Sequence, residues 1–203
     1  MQWDRLFEDL ESQLSSEWEA ERAVLDAESE RLRISRLDLR DRLRVLCGAH
    51  AAATLDLPGR QRVRVVLRAL GADWLAADPS AGDGAAATRA LRLFPLPALE
   101  GIGTDHGMIL SSLDVDGERV PPLRERMTLG FVLRDLARRR VPVRIATTGG
   151  DDLHGTIDRA GADHLDLAMH DAGEARRASS VHGFRILPFS ALAWVQTPGD
   201  QML

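Results

Sequence analysis

An internal repeat constrains the fold of this chain more than any other feature of its sequence. Residues 71–75 (GADWL) return as residues 161–165 (GADHL), at an offset of 90 residues. Two leucine triplets match at the same offset and without a gap: Leu39, Leu43 and Leu46, and Leu129, Leu133 and Leu136. In both triplets the spacing is four residues and then three. The chain is therefore predicted to contain two tandem copies of one small unit.

Each copy predicts the same series of elements. The leucine triplet lies on one face of a short helix, because positions three and four apart share a face. In the second copy, Val141, Val143 and Ile145 alternate as in a half-buried strand, and Gly155 marks a bend in the next strand. Three extra residues then enter the second copy before residues 93–99 (LFPLPAL) match residues 186–192 (ILPFSAL). A helix followed by five short strands predicts a small closed barrel in each copy.

The second copy resembles the Sm-like family, which includes the Sm, LSm and Hfq proteins. The stretches that carry the resemblance are Val143-x-Ile145, Gly149, Leu153-x-Gly155-x-Ile157 and Asp163-x-Leu165-Asp166-Leu167. The resemblance implies a mainly β fold with α, made of two tandem Sm-like barrels of one helix and five strands each. It also implies a nucleic-acid-associated regulator. The family's strand-three asparagine is replaced by Asp166 and Ala76, so its RNA-binding residues are not transferred to this chain.

The repeat sets the expected domain boundaries. We expect a charged helical arm at residues 1–37, a first barrel repeat at 38–103 and a linker at 104–122. A second barrel repeat at 123–197 and a tail at 198–203 complete the chain. Residues 1–47 contain neither Gly nor Pro, which favours a mostly helical segment.

The arm carries apolar residues at seven-residue spacing. Trp18, Leu25 and Leu32 are followed at the same spacing by Leu39 and Leu46, which predicts a coiled coil or helix pair. A helix folded back on its own repeats is an equal alternative. Residues 1–30 contain ten acids and two arginines, whereas residues 31–47 contain six arginines and two acids. Antiparallel pairing of these halves would form either a hairpin or a dimer, and a homodimer that uses Trp18, Leu25 and Leu32 is the favoured interpretation. An acidic arm that covers the protein's own basic patch is the alternative.

A net charge of -5 means that nucleic-acid binding would require a local basic patch. Two clusters supply candidates for contacts with the phosphates of RNA or DNA: Arg138, Arg139 and Arg140, and Arg176 and Arg177. The ordinary alternatives are compensation of a helix dipole by the first cluster and a solvated loop for the second. Trp74 and Trp194 could stack on bases, but buried anchors are the favoured interpretation.

The sequence indicates no catalytic machinery. It contains no P-loop, dinucleotide-binding fingerprint or nucleophile elbow, so we predict a non-enzyme without cofactor or metal. Cys47 is expected to be a small core residue. His164, Asp166 and His170 could share one side of a strand, but a metal site would need a further ligand, and surface polar residues are the favoured interpretation.

A lone cysteine, an acidic start and the absence of a long apolar run predict a cytoplasmic protein that does not span a membrane. Two functional hypotheses remain at this point. One is a nucleic-acid regulator, and the family resemblance narrowly favours this hypothesis. The other is a protein–protein adaptor that assembles through the helical arm and the barrel edges.

Overall fold

The computed structural model describes residues 2–80, 90–115, 121–174 and 176–198. Residues 199–203 of the expected tail lie outside these ranges. The chain forms two compact units, residues 1–39 and residues 40–203. Within the described residues, no helix is both long enough and apolar enough to cross a bilayer.

The first unit is built on one long helix, α1 (Gln2–Ser35), which confirms the predicted helical arm. The helix ends at Ser35, whose Oγ donates to the carbonyl of Leu32 at 2.8 Å. Leu39 and Leu46 belong to a separate helix, and Leu46 is buried. The predicted seven-residue stripe therefore does not run along one continuous helix, because the chain turns at residues 36–38.

Among the described residues, the second unit contains ten strands, three α-helices and four short 3-10 helices. The strands are β1 (Ala52–Leu57), β2 (Gln61–Leu70), β3 (Trp74–Pro79), β4 (Ala90–Pro95), β5 (Gly101–Gly103), β6 (Pro142–Thr147), β7 (Asp152–Ala160), β8 (His164–Met169), β9 (Gly183–Pro188) and β10 (Leu192–Pro198). The α-helices are α2 (Leu39–Gly48), α3 (His106–Ser111) and α4 (Leu129–Arg139). The expected linker at 104–122 therefore carries a short helix, α3.

The ten strands form a single open antiparallel sheet in the order β5-β1-β2-β3-β4-β10-β6-β7-β8-β9. The prediction of two tandem Sm-like barrels is therefore wrong. The reason is the pairing of β4 with β10, in which Val195 lies opposite Leu93 and Pro198 opposite Ala90. This pairing continues the hydrogen-bonded ladder from one copy into the other.

The internal repeat is nevertheless visible in the structure. Each half has the same local order of strands, and the register shifts at Leu67–Ala69 in one half and at Ile157–Arg159 in the other. The backbone N–H of Gly71 and that of Gly161 each donate to the carbonyl three residues later, both at 2.8 Å. The 90-residue offset thus relates structurally equivalent positions.

One glycine of the second copy is required by a close backbone approach. A Cβ added to Gly155 on β7 would lie 2.3 Å from the carbonyl oxygen of Ala168 on β8. No side chain fits there unless the strands separate. The first copy has the buried Val65 at the equivalent position, so this close approach is specific to the second copy.

Side chains reinforce the junction of the two halves. The ring of Trp194 on β10 lies 4.6 Å from the guanidinium carbon of Arg92 and 5.5 Å from that of Arg144. Arg92 is buried, and its Nε donates to Oε1 of Gln196 at 2.9 Å. The first half thus places a buried cation against an aromatic ring of the second, where desolvation strengthens the cation–π attraction.

The turn between β2 and β3 makes a second contact across the junction. Oδ1 of Asp73 accepts a hydrogen bond from the backbone N–H of Leu129 at 2.6 Å, at the start of α4. The indole N–H of Trp74 donates to the carbonyl of Met127 at 2.9 Å, and Trp74 packs in the core of the second half. The helix α4 of the second copy therefore begins against the turn of the first copy. Its N-cap is Thr128, whose side chain accepts a hydrogen bond from the N–H of Phe131.

Replacing Trp194 with alanine should destabilise the whole sheet. We expect Trp194→Ala to lower the free energy of unfolding by about 3–5 kcal/mol, because it leaves a cavity between two arginines. Urea unfolding followed by circular dichroism measures the change. The control is Trp18→Ala on the exposed surface of α1, for which we expect about 0.5 kcal/mol or less. A sheet transition that Trp194→Ala leaves unchanged would contradict the assigned junction.

Candidate functional site

The last turn of α4 presents the first arginine cluster on the surface. The helix ends where Arg140 adopts a left-handed backbone with φ 55°, and its N–H closes the final turn. Asp135 accepts hydrogen bonds from Arg138 at 2.5 Å and from Arg139 at 3.5 Å. The hydrogen bond from Arg138, with the charges of both arginines, lowers the pKa of Asp135. Two of the five predicted contact residues are therefore already paired with a carboxylate.

Asp158 on β7 joins the two predicted clusters. Arg176 donates to it through Nε at 2.5 Å and through Nη2 at 2.6 Å, in a bidentate pair. Arg140 donates to the same carboxylate at 2.7 Å. The hydrogen bonds from Arg176 lower the pKa of Asp158, and the charges of Arg176 and Arg140 act in the same direction. No local sequence pattern indicates the role of Asp158, because each of its arginine partners lies 18 residues away along the chain.

The combined arginine surface keeps a positive surplus. Arg177 is exposed beside Arg176 and has no carboxylate partner in the part of the chain that the structure describes. Five arginines face two carboxylates, Asp135 and Asp158, which leaves a surplus of three positive charges. The side chains of Arg138 and Arg140 remain exposed beyond their ion pairs.

The stripe on α1 is a second candidate contact surface. Trp18, Leu25 and Leu32 are 65%, 64% and 52% exposed. Seven residues complete nearly two helical turns, so the three side chains lie along one side of α1. On the helix surface Glu30 accepts from Arg33 at 2.7 Å, a pair three residues apart that supports the helix locally.

The structure does not assemble the hypothetical metal ligands. His170 is buried and its Nε2 lies 2.9 Å from Oγ1 of Thr156, while the exposed His164 lies 2.9 Å from Asp163. Asp166 faces Arg159 at 3.8 Å. Among the described residues, no three His, Cys, Asp or Glu side chains are grouped so that they could hold a metal ion.

Cys47 and two tryptophans are core residues, as predicted. Cys47 is buried in the core of the first half, where desolvation raises the pKa of its thiol to about 12. It is therefore a neutral thiol near pH 7 rather than a nucleophile. Trp74 and Trp194 are also buried, which leaves neither ring available for stacking on a base.

Comparison of the chain with protein-family models, with curated proteins and with solved structures gave no match.

Removing the Asp158 carboxylate should change the response to acid. Because the pKa of Asp158 is lowered in the folded state, its contribution to stability is present above the unfolded pKa and lost as pH falls through the folded pKa. We expect Asp158→Asn to reduce stability at pH 7 and to flatten its decline below about pH 4. Urea unfolding at a series of pH values measures both effects. The control is Asp171→Asn, which changes an exposed aspartate. An unchanged pH profile for Asp158→Asn would contradict the pairing of Asp158 with the two arginines.

Cys47 should resist thiol reagents in the folded protein. Burial and the raised pKa predict negligible labelling by iodoacetamide at pH 8, and full labelling after unfolding in urea. Mass spectrometry of the intact chain counts the adducts. A Leu123→Cys variant, whose new thiol is exposed, should add one adduct in the native state. Complete native labelling of the unaltered chain would show that Cys47 is accessible.

Proposed function

We propose that this protein is a non-catalytic scaffold for protein–protein interaction, and that α1 binds a helix of another protein. The observation that carries the proposal is the exposed stripe of Trp18, Leu25 and Leu32. A helix exposing large apolar residues at seven-residue spacing gains stability when a second helix covers them.

Charge favours a basic partner helix over a second α1. Residues 1–35 contain ten acids and four arginines, so α1 is strongly acidic. Three of the six arginines in the predicted basic segment, residues 31–47, are already bonded elsewhere. Arg40 bonds to the carbonyl of Ala72, Arg42 to Ser112 and Arg44 to Glu125, all within the second unit. Two acidic helices side by side would repel each other, whereas lysines flanking the partner's apolar stripe would be attracted.

A synthetic peptide can test this preference. The probe is a four-heptad helix with leucines on one stripe and flanking lysines, compared with the same peptide carrying glutamates. Fluorescence anisotropy with the full chain should show binding of the lysine peptide only. Leu25→Glu with Leu32→Glu should weaken binding at least about tenfold, which corresponds to about 1.4 kcal/mol.

Val24→Glu is the matched control, because Val24 is as exposed as Leu25 but lies off the stripe. We expect it to retain binding. Equal affinity for both peptides, or equal loss in both variants, would contradict a stripe-specific site. If the chain alone forms a dimer that Leu25→Glu and Leu32→Glu dissociate, α1 pairs with itself, and the basic-partner proposal is wrong.

Nucleic-acid binding is the second candidate, and the joining of both arginine clusters at Asp158 favours it. A surface with a surplus of three positive charges can contact phosphates without reading bases. The ion pairs with Asp135 and Asp158 would compete with those contacts. The chain's net charge of -5 means that nucleic-acid binding needs a local positive surface of this kind.

Salt dependence distinguishes phosphate binding from other modes. With labelled single-stranded RNA and duplex DNA as probes, affinity should fall steeply with salt, and Arg138→Glu with Arg177→Glu should abolish it. The control is Arg62→Glu, an exposed arginine on β2. Absence of binding at low salt, or identical losses in the control, would rule out this surface as a nucleic-acid site.

A further inference from the structure

The strand β9 forms one edge of the ten-stranded sheet and exposes two large apolar side chains. Phe184 is 68% exposed and Ile186 is 72% exposed. Exposed edge strands carry unpaired backbone groups and readily accept a further strand. An edge with alternating apolar residues is therefore a candidate for strand pairing with another chain.

The internal repeat supplies a direct comparison for this edge. At an offset of 93 residues, the β4 sequence ALRLFP corresponds to the β9 sequence GFRILP. In β4, Arg92 is 5% exposed and Leu93 is fully buried, because β10 lies alongside. Their counterparts Arg185 and Ile186 are exposed. β9 thus has the residue pattern of β4, but no strand among the described residues pairs with its outer edge.

The strand equivalent to β10 is β5, and it is poorly suited to cover β9 of a second copy. Gly101 and Gly103 stand where β10 has Trp194 and Gln196, both of which contact Arg92. β5 also stops at Gly103, since the next helix begins at His106. A head-to-tail contact would therefore lose the interactions that secure the internal junction.

The face beside β9 also differs from its covered counterpart. Trp74 and Ala76, which pack in the core of the second half, are replaced by His164 and Asp166. Packing a further core against these polar residues would bury an imidazole and a carboxylate. The second copy therefore has a polar outer face, as terminal repeats of repeat proteins do, apart from the apolar edge at β9.

We propose that β9 pairs antiparallel with β9 of a second copy of this chain, across a two-fold axis. The N–H of Phe189 donates to the carbonyl of Asp163, the residue just before β8, at 2.7 Å. Because backbone groups alternate in direction along an antiparallel strand, those of Phe184 and Ile186 point away from β8. A register centred on Arg185 places Phe184 of each copy opposite Ile186 of the other. The same apolar patch then serves both copies, as a two-fold interface requires.

The charge at the centre of this register is partly compensated. Arg185 of one copy would face Arg185 of the other, and like charges directly opposite are unfavourable. Each guanidinium, however, already lies 3.0 Å from Oδ2 of Asp151 in its own copy. The pairing uses only strands of the sheet and does not depend on the role proposed for α1.

Size-exclusion chromatography with light scattering tests the pairing on the full chain. We expect twice the 22.3 kDa mass of one chain, and a return to the single mass for Phe184→Lys with Ile186→Lys. The control is Leu110→Lys with Leu123→Lys, which charges two exposed apolar residues away from β9. Leu25→Glu with Leu32→Glu should keep the doubled mass, which separates this surface from α1. A single mass for the unaltered chain, or a mass that the β9 variant leaves unchanged, would overturn the proposal.

A cysteine at the symmetry axis tests the register. In a pair that is not hydrogen-bonded, opposite Cα atoms lie about 4.5 Å apart, within the range that a disulfide spans. We expect Arg185→Cys to form a disulfide-linked dimer on mild oxidation and Leu123→Cys to form far less. If the β9 lysine variant dissociates the dimer while Arg185→Cys does not crosslink, a different strand covers β9, and the two-fold pairing is wrong. Circular dichroism confirms that each variant is folded.

Discussion

The pairing of β4 with β10 is the interaction on which the rest of the sheet depends. It is the place where two similar halves meet, and it buries Leu93 and Val195 together in the core of the second half. The buried Arg92 against Trp194 adds a polar contact that requires both halves. Hydrophobic burial supplies most of the stabilisation, whereas the hydrogen-bonded ladder fixes the register. The turn at Asp73, which binds the first turn of α4, anchors the same junction from outside the sheet.

Joining two similar units by one pair of strands makes their surfaces unequal. The strand of the first copy that carries Arg92 is covered, whereas its counterpart β9 remains an edge. Equivalent positions of the two copies differ in the same way: Trp74 is buried in the first copy, whereas His164 is exposed in the second. The surfaces proposed to interact, the α1 stripe and the β9 edge, both expose apolar side chains that their own unit does not cover. In the arginine surface, by contrast, Asp135 and Asp158 of the same unit form ion pairs with four of the five arginines.

Local features of this structure follow from the sequence, whereas the pairings between distant segments do not. Periodicity and the absence of Gly and Pro predict α1, and residue type predicts the burial of Cys47 and Trp194. The closed barrels were predicted wrongly because a repeat specifies the elements of each copy but not which strands of different copies become neighbours. The pairing of Arg140 and Arg176 with Asp158 could not be predicted for the same reason, since no local pattern links residues 18 positions apart.

Amide hydrogen exchange tests the junction most directly. Exchange of the backbone amides in β4 and β10, measured by mass spectrometry of short peptides, reports whether these strands are paired inside one sheet. A continuous sheet predicts that residues 90–95 and 192–198 exchange as slowly as β2 and β7, which are paired on both sides within each half. The short edge strand β5 should exchange much faster. If β4 and β10 instead exchange as fast as β5 in the folded protein, the two halves are not joined at this junction, and the single-sheet architecture is wrong.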